Sequence, residues 1–578
     1  MSIILGLNCN HADSSACIIK NGKLLFAIEE ERINRIKHWA GLPCSSIDAC
    51  LKYTNIDLSD ITDIAINTNP LSNLNHKIFY FIKNYLFGKK KFEIVDRLNK
   101  KLNLKKDLNN FFNPKNFSKK IKVHYIDHHI SHIASAFYPS NFKKAVGLSI
   151  DGFGDFCSIS IAKCEDEKIH IVKKEFFPDS LGVFYETFTQ LIGFKNYGDE
   201  YKMMGLSSYG QPKYYEKILK NLFKRKKGIR LNLKYFNHTN KNYTYKFQGK
   251  PEQSNLYNNN LKSLLGIDET STKNITDLQK DLASSVQKIF EQKLLEIIKE
   301  IKNLNHSDNL VYAGGCALNS LANKKIYESE LFKNIFIPYA PGDGGGSLGA
   351  ALYVHNKINK NVKVSNLNSP YIGTGYDNNQ IKNFIDNEIK LNDYQITFIE
   401  KKDKLMKILA EIIYENKIVG YFNGRMEFGA RALGNRSILA NPCNPNIRDI
   451  INSKIKRRES FRPFAPAILE NLKNEWFDSD KINPYMSSVE NIKLDKQQII
   501  PSVTHFDGTG RVQSVSRKMN KDFYQLIEKF YEISNVPILL NTSFNENEPI
   551  VMSPDHAIKC FLRTEMDTLV LNNYVINR

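Results

Sequence analysis

The sequence has no apolar run approaching the roughly 18 residues that a helix needs to cross a bilayer, and so no membrane span is expected. Its nine cysteines are scattered and none form a CxxC pair. That excludes a disulfide framework and a cysteine-type zinc site, and fits a reduced, cytoplasmic protein. The opening stretch "MSIILGLNCNHADSSACII" lacks a basic leader and is broken by Asn, His and Asp. It is expected to be a folded strand rather than a signal peptide. No glycine-rich stretch ends in Gly-Lys-Ser/Thr, so a Walker A loop is absent. There is no short-period repeat and no heptad pattern.

What is present begins with charge. The formal net charge is +20, with ordinary hydrophobic (42%) and charged (25%) fractions, so the excess reflects added lysine rather than a depleted core. Much of the excess sits in two Lys-rich stretches, 84–120 and 219–246. Asn, Lys and Ile recur throughout, as an AT-biased coding sequence would give. Solvated insertions account for the charge better than a nucleic-acid surface does. At 578 residues the chain is too long for one hydrophobic core.

Residues 1–32 read as strand "IILGLN", Asp-containing turn, strand, "NGK" turn, and a third strand "LLFAIEEER". "KAVGLSIDGFGDFCSISIAK" (144–163) repeats the scheme with an Asp-Gly turn inside it. An amphipathic helix is expected over 278–303. Two strand–glycine turn–helix units follow, "NLVYAGGCALNSLANKKI" (309–326) and "IFIPYAPGDGGGSLGAALYVHNK" (335–357). The pattern breaks near residue 365, where a boundary is expected between domains 1–365 and 366–578. The second half opens with a helix and the strand "IVGYFNG", and closes with the strands "VPILLNTSFN" and "TLVLNNYVI". Both halves are therefore expected to be α/β.

Three constellations are candidates for chemistry, with ordinary hydrogen-bonded histidines the alternative for the first and structural salt bridges for the third. In "DHHISHIASAF" (127–137), His128 and His132 are four apart and share one face of a helix. The residue after His128 is His129, not Glu, which disfavours a zinc hydrolase of the HExxH type. Asp151 and Asp343, both in strand-end turns, are the natural further ligands, and two His with carboxylate suits Fe(II), Mn or Zn. The turns at Gly314, Gly315 and Asn319, and at Gly344 and Gly345, join strand to helix where backbone amides favour an anion; close helix–strand packing would also explain their glycines. Finally, Arg425, Arg431, Arg436, Lys456, Arg458 and Arg462 lie among glycines, aromatics and prolines, unlike a solvated charged face. Guanidinium groups on rigid turns suit phosphate or carboxylate oxygens. Ser543 and Asn545 offer a hydroxyl and an amide at a strand end.

These stretches, with "EEERINRIKH" (29–38) and "GDEYKMMGLSSYG" (198–210), resemble in order the O-carbamoyltransferases of nodulation-factor, aminoglycoside and cephem-type biosynthesis. The resemblance implies a duplicated actin/hsp70-like (ASKHA) N-terminal domain related to the tRNA threonylcarbamoyl-transfer proteins, and a YrdC-like C-terminal domain. It implies that the C-terminal domain joins ATP, with Mg2+, and carbamoyl phosphate into carbamoyl-adenylate. The YrdC-like Lys-x-Arg … Ser-x-Asn pattern is matched by Lys456, Arg458, Ser543 and Asn545. The N-terminal domain would then transfer the carbamoyl group to an acceptor hydroxyl. Its metal, taken to be iron, would be held by His128, His132, Asp151 and Asp343, and its nucleotide by the two glycine turns. Family members carry His immediately before the Asp of the first hairpin turn, where it is a candidate for activating the acceptor. Here Ala12 precedes Asp13 and His11 stands one residue earlier. Either His11 reaches the same place from a shifted turn or another group is the base. An RNA-modifying or RNA-binding protein related to tRNA threonylcarbamoylation is the alternative. The acceptor, a sugar of a glycan or a secondary metabolite, is not readable, and a homodimer is among the assemblies left open.

Overall fold

The computed structural model describes residues 2–86, 104–112, 121–224, 228–240, 243–246, 248–267, 274–359 and 362–578. The basic stretch 84–120 falls largely outside these residues and 219–246 in part. The chain divides into two compact units, Met1–Asn368 and Ser369–Arg578.

In the first unit, "IILGLN" forms β1 (Ile3–Asn8), buried at every residue, as a strand covered on both faces must be. It pairs antiparallel with β2 (Ser15–Lys20), which pairs antiparallel with β3 (Lys23–Glu29). On its other side run β4 (Asp63–Ile66) and then β5 (Lys122–Tyr125), both parallel. The order is β3-β2-β1-β4-β5. The chain then builds the same sheet again. β6 (Lys144–Gly154), β7 (Cys157–Glu165) and β8 (Lys168–Phe176) form an antiparallel meander. A small ribbon follows, β9 (Tyr245–Lys246) with β10 (Glu252–Gln253). β11 (Asn309–Ala313) and β12 (Asn334–Phe336) then add in parallel beside β6, giving β12-β11-β6-β7-β8. Counted from its meander edge, this is the first order over again, the duplicated layout of an actin/hsp70-type domain. Helix His128–Phe137 packs on β6, β7 and β11, helix Gly346–Ile358 packs on β1, β2 and β4, and the two helices pack on each other. They fill the space between the sheets.

Two local expectations are corrected. The turn of the second meander is at Asp155-Phe156, both at positive φ (49° and 71°), not at Asp151-Gly152. A two-residue loop of that conformation matches the twist of the strands it joins. Asp151 lies instead where the β6–β7 register shifts, between Ile150 and Gly154. Likewise "EEER" does not extend β3. Residues Glu30–Asn34 form a short helix, ended by Arg35 in the left-handed region.

The second unit is one mixed sheet flanked by helices. Its strands are β13 (Gln395–Phe398), β14 (Val419–Phe422), β15 (Arg436–Ala440), β16 (Ala465–Leu469), β19 (Gln513–Val515), β20 (Ile538–Ser543), β21 (Thr568–Leu571) and β22 (Tyr574–Asn577), with β17 (Glu490–Asn491) and β18 (Thr509–Gly510) as a separate ribbon. The sheet order is β13-β22-β21-β14-β15-β20-β16-β19. "TLVLNNYVI" is thus a hairpin rather than one strand. Leu405, Leu409 and Ile413 of helix Lys402–Tyr414, and Phe523, Leu526, Ile527 and Phe530 of helix Lys521–Ser534, recur at three- and four-residue spacing. They bury their stripe in the same apolar cluster as Ile438 and Leu539.

Helix His128–Phe137 is anchored at its start. Asp127 Oδ1 accepts from the backbone N of His129 (3.0 Å) and Ile130 (3.3 Å), and Asp127 Oδ2 accepts from Lys174 Nζ (2.8 Å). Asp127→Ala removes this cap and is expected to destabilise the first unit by about 1–2 kcal/mol, read as a lower midpoint of denaturant unfolding with circular dichroism.

Candidate metal centre and anion sites

His128 opens its helix because Asp155, at the tip of the β6–β7 hairpin, accepts from its backbone N at 3.0 Å. Asp155 also accepts from Thr68 Oγ1 (2.7 Å) and the Asn69 N (2.8 Å), which ties the hairpin of the second sheet to the end of β4. His132 follows one turn later. Asp343 is placed by the single tight turn Asp343–Gly345 that leads into helix Gly346–Ile358. The first residues of both long helices therefore border one point, where their N-terminal dipoles favour negative charge.

At that point four side chains converge. The Nε2 atoms of His128 and His132 are 3.0 Å apart. Asp151 Oδ2 lies 3.2 Å from the first and 3.0 Å from the second. Asp343 Oδ1 lies 3.6 and 3.4 Å from the same two nitrogens. Each residue offers one donor atom and all four lie within 4.8 Å of one another. All are buried. Gly154 permits the packing, since a Cβ there would fall 1.9 Å from the His128 ring. Two features point to a cation. Asp343 Oδ1 is buried and accepts no hydrogen bond. Two imidazole nitrogens 3.0 Å apart, both aimed at the same carboxylate oxygen, cannot each carry a proton without repulsion. Removing carboxylates from water costs several kcal/mol per ion, and a cation bound by all four atoms offsets that cost. The two imidazole nitrogens and two carboxylate oxygens fit a borderline divalent metal.

The titration behaviour agrees. Burial and the adjoining His132 lower His128 to about 4. Burial also acts to lower His132, but its hydrogen bond to Asp151 and the negative charge of the nearby Asp343 outweigh it and raise it to about 9. Burial works to raise Asp343, yet His11 and His132 hold it down at about 2. His129, by contrast, faces away, with Nδ1 2.8 Å from Ser149 Oγ and Nε2 3.0 Å from the Cys157 carbonyl.

His11 reaches this centre from the first hairpin turn. Its Nδ1 is 2.6 Å from Asp343 Oδ2 and its Nε2 3.4 Å from the Phe153 carbonyl. Asp13 does not join it; its Oδ1 lies 2.8 Å from His38 Nδ1. Gly314 and Gly315 form the turn after β11, and Gly344 and Gly345 the turn after Asp343. Asn319 caps helix Ser320–Glu328 through Ala322 N (3.0 Å) and exchanges hydrogen bonds with Gln287. Its side chain has a structural role.

In the second unit, Lys456 follows a π-helical turn, Ile451–Ile455, a distortion that recurs at functional sites. Its buried Nζ meets the Ser543 carbonyl and Oγ (3.2 Å), the Asn545 carbonyl (2.9 Å) and Asn545 Oδ1 (2.6 Å). The structure thus brings together Lys456, Ser543 and Asn545. Arg458 Nε donates to Asn452 Oδ1 (2.7 Å) and its guanidinium stacks 4.8 Å from the Phe464 ring centre. Arg436 is corrected from an anion ligand to part of the framework. It is fully buried, stacks 3.6 Å over Phe422, and donates to the carbonyls of Asn423, Asn435, Thr374 and Gly424. Arg425 is similarly engaged with the carbonyls of Gly373 and Ile372. Sequence reasoning missed Arg511. Burial, then the charges of Arg431 and Arg462, push its guanidinium well below the usual arginine range. A buried guanidinium near two further arginines makes this a place where an anion is favoured. No motif surrounds Arg511 in the sequence; only the fold sets it beside the other two.

If the four-atom centre holds a divalent ion, protein purified without chelator is expected to carry close to one metal per chain by inductively coupled plasma mass spectrometry. His132→Ala and Asp151→Asn should each cut that content tenfold or more, whereas His129→Gln should keep it.

The chain is similar to known proteins along its length. Residues 3–352 match the family model described as carbamoyltransferase N-terminus, and residues 410–578 match carbamoyltransferase C-terminus. The uncharacterized protein sll1178 of Synechocystis sp. is 34% identical over 100% of this chain and 97% of its own length. The nodulation protein NolNO of Sinorhizobium fredii is 34% identical over 98% of this chain and 79% of its own. The uncharacterized protein MJ1051 of Methanocaldococcus jannaschii is 32% identical over the whole of both chains. With both halves matched in order and relatives spanning its full length, the chain belongs to the carbamoyltransferase family and is a carbamoyltransferase.

Proposed function

We propose that the protein is an ATP-dependent O-carbamoyltransferase working in two half-reactions. In the second unit, ATP and carbamoyl phosphate give carbamoyl-adenylate, with release of phosphate and pyrophosphate. In the first unit, an acceptor hydroxyl attacks the carbamoyl carbon and AMP leaves. The observation that carries this reading is the meeting of Lys456, Ser543 and Asn545 on one chain with the buried His128–His132–Asp151–Asp343 centre.

Polyphosphate and carbamoyl phosphate bring several negative charges into one place. Lys456, Arg431, Arg462 and Arg511 meet that demand; Mg2+ accompanies ATP. Ser543 Oγ donates to Asn545 Oδ1 (2.7 Å), which fixes both groups beside the lysine. Carbamoyl-adenylate is a mixed anhydride, and keeping it within one protein protects it from water. In the first unit the amides of the Gly314–Gly315 and Gly344–Gly345 turns receive its phosphate. A divalent metal held by His128, His132, Asp151 and Asp343, iron(II) first with manganese or zinc as alternatives, would supply Lewis-acid polarisation of the carbamoyl carbonyl. The acceptor is a hydroxyl-bearing molecule, a sugar of a glycan or of a secondary metabolite, and the protein acts in the cytoplasm.

Lys456→Ala should lower carbamoyl-phosphate-dependent pyrophosphate release by about 10²-fold or more, as for loss of a preorganised charge donor. His128→Ala should keep that release within twofold and stop transfer from supplied carbamoyl-adenylate. The opposite pattern would refute this division of labour.

A further inference from the structure

With Ala12 before Asp13, the identity of the group that deprotonates the acceptor is open, and the structure points away from His11. That ring is engaged on both sides, by Asp343 Oδ2 at 2.6 Å and by the Phe153 carbonyl at 3.4 Å. A second imidazole stands by the same turn. We propose that His38, oriented by Asp13, is the acid–base group that takes the proton from the acceptor hydroxyl. This rests on the carbamoyl-adenylate reading above and assigns a residue within it.

The geometry is that of an oriented base. Asp13 Oδ1 lies 2.8 Å from His38 Nδ1 and fixes the tautomer with the proton on that nitrogen. Among the described residues nothing hydrogen-bonds His38 Nε2, and the side chain is 30% exposed. One nitrogen is thus held and the other is open to a substrate. Both residues occupy the left-handed region, Asp13 at φ 53° and His38 at φ 56°. Such conformations persist only where the surroundings impose them. Here they are imposed by hydrogen bonds between the two loops. Asn10 N donates to the Gly41 carbonyl (2.9 Å), Ser14 N to the Trp39 carbonyl (3.0 Å), and Gly41 N to Ser14 Oγ (3.1 Å). His38 N also donates to Glu31 Oε2 (2.7 Å). Across the ring lies Gly198, at φ 83°, where a Cβ would fall 2.2 Å from His38 Nε2. A side chain there would close the open nitrogen. Tyr197 stands 5.6 Å from the His38 ring, edge-on.

The Asp13 end of the dyad borders the glycine loop after Asp343. A Cβ on Gly344 would fall 3.8 Å from the Asp13 carbonyl, and Ser15, the first residue of β2, donates through Oγ to the Gly344 carbonyl (2.7 Å). The step balances as follows. The acceptor O–H gives its proton to His38 Nε2 while its oxygen bonds to the carbamoyl carbon. The bond from that carbon to the AMP phosphate oxygen breaks, and AMP leaves with the electron pair. The imidazolium, paired with the Asp13 carboxylate, then releases its proton to water.

The groups facing His38 are Asp13 from the first turn, Glu31 from helix Glu30–Asn34, with Arg32 bound to that glutamate at 2.9 Å, Glu200 from the start of helix Glu200–Leu206, and Tyr197 from the loop before it. Burial opposes its protonation, but Asp13, then Glu31 and Glu200, raise it to about 9. Transfer should therefore rise with pH towards 9.

The test supplies ATP and carbamoyl phosphate, with excess glucose and water as attacking groups, and follows pyrophosphate for the first half-reaction and AMP for the second. His38→Asn is expected to keep pyrophosphate within twofold and to slow AMP release by about 10²-fold, at the low end for loss of an acid–base group. Asp13→Asn should move the rising limb of AMP release down towards the ordinary histidine value of about 6.5. His38→Ala should regain AMP release with added imidazole, which a folding defect would not do. AMP release from His38→Asn within fivefold of wild type, or an unmoved limb in Asp13→Asn, overturns the dyad alone. No carbamoyl-phosphate-dependent pyrophosphate from the wild type overturns the adenylate reading, and the dyad's reaction with it.

Discussion

Burying two carboxylates against two imidazoles is the constraint around which the first unit is built. Four donor atoms within 4.8 Å of one another, all withdrawn from water, would repel and dehydrate without a compensating charge. They are delivered by three different pieces of the duplicated fold. Asp151 comes from the register shift of the second meander, Asp343 from the tight turn before helix Gly346–Ile358, and the histidines from the helix that the β6–β7 hairpin caps. The two stacked helices end at this point because their partner sheets place them there. Duplication of the β-sheet thus explains the site's position, and the packed helices explain its rigidity.

The second unit solves a related problem with opposite sign. Its sheet carries positive groups in an apolar setting, and two kinds of arginine result. Arg436 is consumed by carbonyls and Phe422, while Glu427 Oε1 accepts from the backbone of Leu433 and Asn435 at 2.7 Å, so this loop is held from within. Arg511 instead is buried within reach of the charges of Arg431 and Arg462, and the buried Lys456 collects the oxygen atoms of the Ser543–Asn545 strand end.

Much of this was legible before the fold. Four-residue spacing put His128 and His132 on one face, and strand–turn patterning placed Asp343 in a turn between strand and helix. The strands, helices and strand–helix alternation of both halves were read from periodicity. What escaped depended on contacts distant in sequence. Whether an arginine in a glycine-rich loop meets a phosphate or four carbonyls is not encoded in its neighbours, so Arg436 was misjudged and Arg511, some distance along the chain, was not seen. Asn319 read as a loop ligand, but its helix-capping position and its exchange with Gln287 need the fold to be known. His38 stood inside a recognised stretch, yet only the zipper between the first turn and the Trp39–Gly41 loop brings it to Asp13. The Asp151-Gly152 turn was misplaced by four residues because two Asp-containing steps, at 151 and 155, offered the same local signal.

The central claim, that one chain couples ATP cleavage to carbamoyl phosphate, is tested most directly by incubating the wild-type protein with ATP and [14C]carbamoyl phosphate without an acceptor, quenching, and separating the products by chromatography. The account predicts a radiolabelled, AMP-containing species formed only when both substrates are present, accompanied by pyrophosphate. Label that remains in carbamoyl phosphate, or ATP cleavage that proceeds equally without it, would contradict the account.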